Sequence, residues 1–306
     1  MPSKNQGVLD VHRNHRRNEK RLHSTALTKN TQDHKELITL SSIFILILFL
    51  IGNTLNRINV NVAIQTIENE GINYDYFREM IIPIENKMFR EYKKTNILED
   101  NIYDDLTLNT LLNQNGYNGV LNISESNKRK LLGKLSENSS FKELKGYLKA
   151  ILEDVKTFPV DLSLLDKKEV TYTDSWNYLR SYGGKRRHEG TDIMSSDNVP
   201  GVISVLSITD GVVEKMGWLE KGGYRVGIRG NKGAYFYYAH LSSYAPLLKV
   251  GDVVKAGDCI GYMGDSGYGE EGTTGQFPVH LHVGIYVETP FGELSINPYL
   301  ILKLLE

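Results

Sequence analysis

At 306 residues the chain is long enough for one or two domains. Its 36 Lys and Arg against 37 Asp and Glu leave it nearly neutral, which argues against a nucleic-acid binder. The single cysteine, Cys259, rules out an intrachain disulfide. It lies in the apolar run Cys259-Ile-Gly-Tyr-Met263 and is expected to be a buried structural thiol.

Charge is distributed unevenly. The first 35 residues carry Lys4, Arg13, Arg16, Arg17, Lys20, Arg21, Lys29 and Lys35 against Asp10, Glu19 and Asp33. Residues 1–36 are polar, basic and poor in apolar clusters, so they are expected to be a disordered cytoplasmic tail. An uncharged apolar stretch follows, and residues 37–55 are expected to be a transmembrane helix, on the short side of the usual ~20 residues. The basic flank precedes it and only Arg57 follows closely, so the positive-inside bias places the N-terminus in the cytoplasm. The expected location is the cell membrane, single-pass, with the C-terminal domain extracellular. A cleaved signal peptide is the rival. The long polar segment ahead and the lack of an Ala-x-Ala-like site argue against it.

Residues 56–158 read as a stalk and helical spacer. Ser140-x-x-Glu143 reads as a capping box. It opens a run with Phe141, Leu144, Tyr147, Leu148, Ile151, Leu152, Val155 and Phe158 at the spacing of one helix face. A shorter helix is expected over Asn127–Leu135, and Tyr76–Tyr92 should be kinked or split by Pro83. Gly116 and Gly119 mark a turn. No chemistry-bearing cluster falls here, so residues 74–158 are expected to space the next domain or to dock an envelope protein partner.

Phe158-Pro159-Val160 marks a boundary, and 21 of the 28 glycines lie after it. Short apolar runs then alternate with Gly and Asp turns: 201–206, 211–213, 224–228, 234–239, 258–263 and 279–287. This pattern predicts an all-β domain over 159–306.

Eight histidines are present, and His12, His15, His23 and His34 lie in the tail. The other four fall in three short motifs. His188-Glu-Gly-Thr-Asp192 could bring an imidazole and a carboxylate together, with Gly190 letting the chain bend. Tyr238-Ala-His240-Leu241 ends an aromatic strand. His280-Leu-His282 places two imidazoles on one strand face, because side chains at i and i+2 share a face. Imidazole and carboxylate are both zinc ligands, and three protein ligands plus a water make a catalytic zinc site. Five candidates exceed three ligands, so two histidines are free for acid–base work.

In this order, and with Lys249-Val-Gly-Asp-Val-Val-Lys-Ala-Gly-Asp258 and Gly264-Asp-Ser-Gly267 between them, the motifs resemble the LytM/lysostaphin-type zinc metallopeptidases, the M23 endopeptidases. The resemblance covers about residues 171–298. It implies a small antiparallel sheet domain with a groove, a Zn2+ cofactor and peptidoglycan peptides as substrate. It further implies that His188, Asp192 and His282 hold the metal and that His280 is general base for the attacking water. His240 then orients that water or stabilises the tetrahedral intermediate, and Tyr182 donates to the oxyanion. Glu189 is not expected to be catalytic, because a histidine base is available. The loop 268–278 departs from the family pattern and should flank the groove and tune substrate choice. The rival reading is a non-catalytic envelope scaffold or activator, of the kind used in sporulation or division. Such relatives typically lack ligands, and all five positions are present here.

Overall fold

The computed structural model describes residues 6–82, 99–116, 125–161, 170–182 and 184–306. They divide into two compact units, Met1–Val62 and Ala63–Glu306.

The first unit is helical. Helix α1 runs Gln6–Glu70, and its last residues belong to the second unit. Within it Leu37–Thr54 carries no charge, has no residue buried, and is long and apolar enough to cross a membrane. In contrast to the disordered tail expected over 1–36, the helix already begins at Gln6. No proline occurs between Pro2 and Pro83, and a helix nucleated in the apolar segment extends through such residues at little cost per residue.

The second unit opens with the end of α1, where Ala63, Ile64 and Ile67 are buried. Helices α2 (Tyr74–Arg78), α3 (Asp100–Asn113), α4 (Glu125–Leu135) and α5 (Ser139–Asp154) follow. The expected kink at Pro83 and the turn at Gly119 lie outside the described residues. Helix α5 buries Phe141, Leu144, Leu148, Ile151 and Leu152, the spacing of one helix face, and packs on α3. Each such side chain contributes about 1.5–3 kcal/mol on full burial. Its N-cap is Asn138, whose side chain accepts from the Phe141 amide, so the expected Ser140 cap is displaced by two residues. Glu143 does not close a capping box. It accepts from the Tyr74 and Tyr147 hydroxyls, both at 2.6 Å.

These helices do not stand apart from the sheet as a separate spacer. Asp154, at the end of α5, is 2% exposed and accepts from the Lys232 amide at 2.9 and 3.0 Å. Burial pushes its carboxyl up to about 6, against the lowering effect of the amides it accepts from. Arg78 of α2 donates to Glu189 at 2.6 Å and to the Ser295 hydroxyl at 2.7 Å.

The sheet comprises β1 (Val170–Thr171), β4 (Thr191–Ser195), β5 (Ser204–Leu206), β6 (Gly211–Leu219), β7 (Gly223–Gly230), β8 (Tyr235–Tyr244), β9 (Val253–Val254), β10 (Cys259–Met263), β11 (His280–Thr289) and β12 (Gly292–Ile296). Strands β2 (Leu179–Arg180) and β3 (Arg186–Arg187) form a separate hairpin, and α6 (Tyr299–Leu305) ends the chain. The main path is β1-β4-β11-β8-β7-β6-β9, and each of these pairs is antiparallel. Strand β10 pairs with β5 and β8, and β12 with β11.

The faces of the sheet differ sharply. Leu281, Val283 and Ile285 of β11, and Phe236 and Tyr238 of β8, point into the core. The Tyr238 hydroxyl accepts from the Ile208 amide at 2.7 Å, so even this buried polar atom is partnered. His280 and His282, with Tyr235, Tyr237 and Ala239, alternate with them on the other face. Cys259 is exposed, contrary to expectation. It opens β10 after a turn, and the strand's inward positions are Ile260, Gly261 and Met263.

Candidate metal centre

Register brings the ligand candidates together. In the β4–β11 ladder Asp192 lies directly opposite His282, and on the other side His282 faces Ala239 of β8. His188 approaches from just before β4. Its Nε2 is 3.0 Å from Asp192 Oδ1 and 3.0 Å from His282 Nδ1, and His282 Nδ1 is 2.9 Å from the same carboxylate oxygen. The three donor atoms lie within 4.8 Å of one another.

Proton bookkeeping shows what this cluster needs. His188 Nδ1 faces the Ser175 carbonyl at 3.0 Å, which can only accept, so Nδ1 carries the proton and Nε2 presents a lone pair. That lone pair meets an imidazole nitrogen and a carboxylate oxygen at once. A cation equidistant from the three satisfies them all. Tetrahedral zinc with bonds of about 2.0–2.2 Å holds its ligand atoms roughly 3.3–3.5 Å apart, close to what is seen. Two nitrogens and one carboxylate oxygen also match the donor chemistry of zinc. The residues therefore fit the metal that the sequence implied.

Burial disfavours an ionised Asp192. The contacts with the His188 and His282 rings, and the neighbouring His282 and His280 imidazoles, outweigh it and hold the carboxyl well below its usual range. Its other oxygen accepts from Arg180 Nη2 at 2.5 Å. Burial lowers the pKa of His282 against the pull of Asp192, and it lowers His280 similarly. Both are therefore neutral near pH 7.

The other two histidines share the groove. His280 donates Nδ1–H to the Pro278 carbonyl at 2.7 Å, leaving Nε2 3.9 Å from Asp192 Oδ1. His240 donates Nδ1–H to the Ser266 carbonyl at 2.8 Å, and its ring centroid is 4.7 Å from that of His280. Its pKa is lowered strongly, by burial first and then by the neighbouring imidazoles. His240 sits at φ +62°, the left-handed region that non-glycine residues rarely occupy.

Tyr182 is not among the side chains that line the groove. It lies beyond the end of β2 and stacks on Tyr268, with centroids 4.0 Å apart and planes 3° off parallel. Tyr268 is in turn edge-on to His240 at 6.1 Å. The tyrosine on the groove wall beside His282 is Tyr237, at 6.0 Å between centroids. Glu189 lies on the exposed rim of the groove and is paired with Arg78. The loop 268–278 supplies Tyr268 and Phe277 to the groove, and the Phe277 ring is 4.6 Å from His240. The groove is open and holds about 810 Å³. Sequence reasoning missed Arg180 and Ser175, because neither belongs to a motif with the ligands.

Two imidazoles and a carboxylate converge here, with two further imidazoles facing them, a donor set that could hold a metal ion. The profile of peptidase family M23 matches residues 186–298, and the chain belongs to this family. The L-Ala--D-Glu endopeptidase of Bacillus subtilis is 44% identical over 133 residues, which is 44% of this chain and 40% of that protein. Lysostaphin of Staphylococcus simulans is 35% identical over 137 residues, 42% of this chain and 25% of the relative. The matches thus span less than half the length of these curated relatives. The crystal structure of a protein named lytM from Ruminococcus gnavus, assigned as a glycyl-glycine endopeptidase, superposes with a TM-score of 0.63 at 46% identity. That likeness covers 75% of this chain and 89% of the other.

Proposed function

We propose that the chain is a membrane-anchored zinc endopeptidase that cuts peptide bonds of peptidoglycan stems or cross-links outside the cell. The observation that carries this reading is the convergence of His188, Asp192 and His282 within 4.8 Å, beside two further imidazoles in one open groove. The relatives named as L-Ala--D-Glu and glycyl-glycine endopeptidases support it.

A zinc ion held by those three side chains supplies Lewis acidity, polarising a scissile carbonyl and acidifying water. The chain's own groups do the rest. Neutral His280, its Nδ1 committed to Pro278, uses Nε2 to take the proton of the attacking water and deliver it to the leaving amine. His240, held by Ser266, presents the lone pair of Nε2 to the attacking water and orients it. Tyr182 acts through Tyr268, whose ring it braces, and Tyr237 shapes the wall beside His282. Arg180 fixes the carboxylate of Asp192 so that Oδ1 stays aimed at the ligand cluster. Residues 37–54 anchor the chain, with the basic N-terminal segment on the cytoplasmic side.

The test is digestion of purified peptidoglycan by the full-length chain in detergent, with fragments identified by mass. Release of peptide fragments, abolished by chelation, restored by zinc and absent in His280→Ala, is the expected result. Release unaffected by chelation or by His280→Ala overturns the mechanism. No release by intact, zinc-loaded protein favours the scaffold reading.

A further inference from the structure

The groove is richer in cations than the chemistry of its metal centre requires. Arg180, Arg186, Arg187, Lys215, Lys221 and Arg225 line it, against Glu189, Asp192 and Glu293. The carboxylates are already engaged elsewhere: Asp192 by Arg180, Glu189 by Arg78, and Glu293 near Arg229 at 4.0 Å. Among the described residues, no carboxylate lies within 4.0 Å of Arg186, Lys221 or Arg225. Buried guanidinium nitrogens add a second sign. Arg186 Nε and Arg225 Nη1 are enclosed and have no hydrogen-bond partner. Orphaned buried donors of this kind are costly unless something binds them.

Their placement is specific. Arg225 stands at the bulge in the β7–β8 ladder, between Tyr224↔Leu241 and Val226↔Tyr238, and so faces the Ala239–His240 step. Bulges re-aim side chains beside active sites. Arg186 lies two residues before His188 and donates to the Tyr268 hydroxyl at 3.1 Å. The charges of Arg225 and Arg186 both act on the Tyr237 hydroxyl. Lys221 precedes Gly222, whose carbonyl accepts from the His240 amide. Arg186 and Arg225 thus both face Tyr237, and Lys221 lines the same groove next to the residue that holds the His240 amide.

We propose that Arg186, Lys221 and Arg225 form a carboxylate-reading subsite, and that the preferred substrate is a peptide with a free carboxylate on a residue flanking the scissile bond. The inference rests on the peptidase reading above and narrows it. A peptidoglycan stem supplies such a carboxylate on its acidic residue; a glycine bridge has no side chains to supply one. Planar guanidinium donors match a carboxylate two bonds at a time, which point charges on a neutral peptide would not use.

The test compares two peptides on the full-length, zinc-loaded chain: L-Ala–γ-D-Glu–L-Lys–D-Ala amide, and its counterpart with the D-Glu α-carboxylate also amidated. Expected is a kcat/KM about 30-fold higher for the acid, the worth of one or two charge-assisted hydrogen bonds. That ratio should fall to about 5-fold or less in Arg225→Gln and Arg186→Gln, with the change mostly in KM. Lys221 is exposed, so Lys221→Gln reports without a risk to folding. Calorimetric binding of both peptides to the His280→Ala protein reads the subsite without turnover. Tighter binding of the acid without cleavage in the wild type sinks the peptidase reading and keeps the subsite. Equal cleavage or equal binding of the two peptides overturns the subsite, as does absence of binding to either. Faster cleavage of pentaglycine than of the acid also overturns it.

Discussion

Gly190, between His188 and Asp192, offers a sharp test of how the centre is held. Its backbone is not in the left-handed region, so a side chain is excluded by space and not by φ. A Cβ built there would stand 2.5 Å from the Val283 carbonyl oxygen and 2.6 Å from His282 Nε2, and nearer still to His282 Cε1. Ordinary contact begins at 3.4 Å, so the ring must retreat by about 1.0 Å at Cε1, and the Val283 carbonyl belongs to the backbone of β11 and cannot swing aside. Metal–ligand distances tolerate only about ±0.2 Å. In Gly190→Ala, His282 is therefore lost as a ligand, and zinc affinity should drop by more than the roughly 10–100-fold typical of outer-shell changes. Overpacking should cost a further 1–3 kcal/mol or so, lowering Tm by about 2–4 °C per kcal/mol. Competition with a chromophoric chelator reads the affinity, and circular dichroism with a thermal melt confirms the folded state. A folded Gly190→Ala protein that binds zinc as tightly as the wild type refutes the assignment of His282 Nδ1 to the metal.

Two further outcomes are expected. Asp154 has a native pKa of about 6 against a usual value of 3.8, so between these the native state binds the extra proton. Stability should therefore be highest at low pH on this account, fall as pH rises from about 4 to about 6, and then level off, by at most about 3 kcal/mol. Asp154→Asn should remove that window, gaining relative to the wild type at pH 7.5 over pH 4.5 in urea titrations; parallel curves speak against it. Asn138→Ala should cost about 1 kcal/mol by losing the helix cap, while Ser140→Ala costs under about 0.5 kcal/mol. Equal losses in the two denaturation curves return the cap to Ser140.

The centre was legible because each ligand sits in a short motif, and strand alternation alone places His280 and His282 on one face. The β domain was legible for a related reason: glycine and aspartate turns punctuate apolar runs. Arg180 was not, since it comes from a hairpin whose strands are two residues long and carry no periodic signal. Arg225 was hidden by the bulge, which breaks the alternation from which its direction could be read. The α5 cap shifted because two cap signals compete locally: Asn138 and Ser140 are both good caps, and the Asn138 side chain is the one that reaches a first-turn amide, that of Phe141. Cys259 looked buried because its neighbours are apolar, but the strand's phase turns it outward. The start of α1 and the helix α6 depend on continuity and packing, which composition does not reveal.

Because Asp192 and His282 are partners in the same ladder, the centre is sensitive to insertions in a way the groove is not. One residue added to β4 or to the start of β11 would turn a ligand into the core and bring its apolar neighbour to the groove. Residues 268–278 have no such constraint, because they join β10 to β11 outside the ladder. Length variation can therefore accumulate in the groove wall while the strands that carry the candidate ligands keep their spacing.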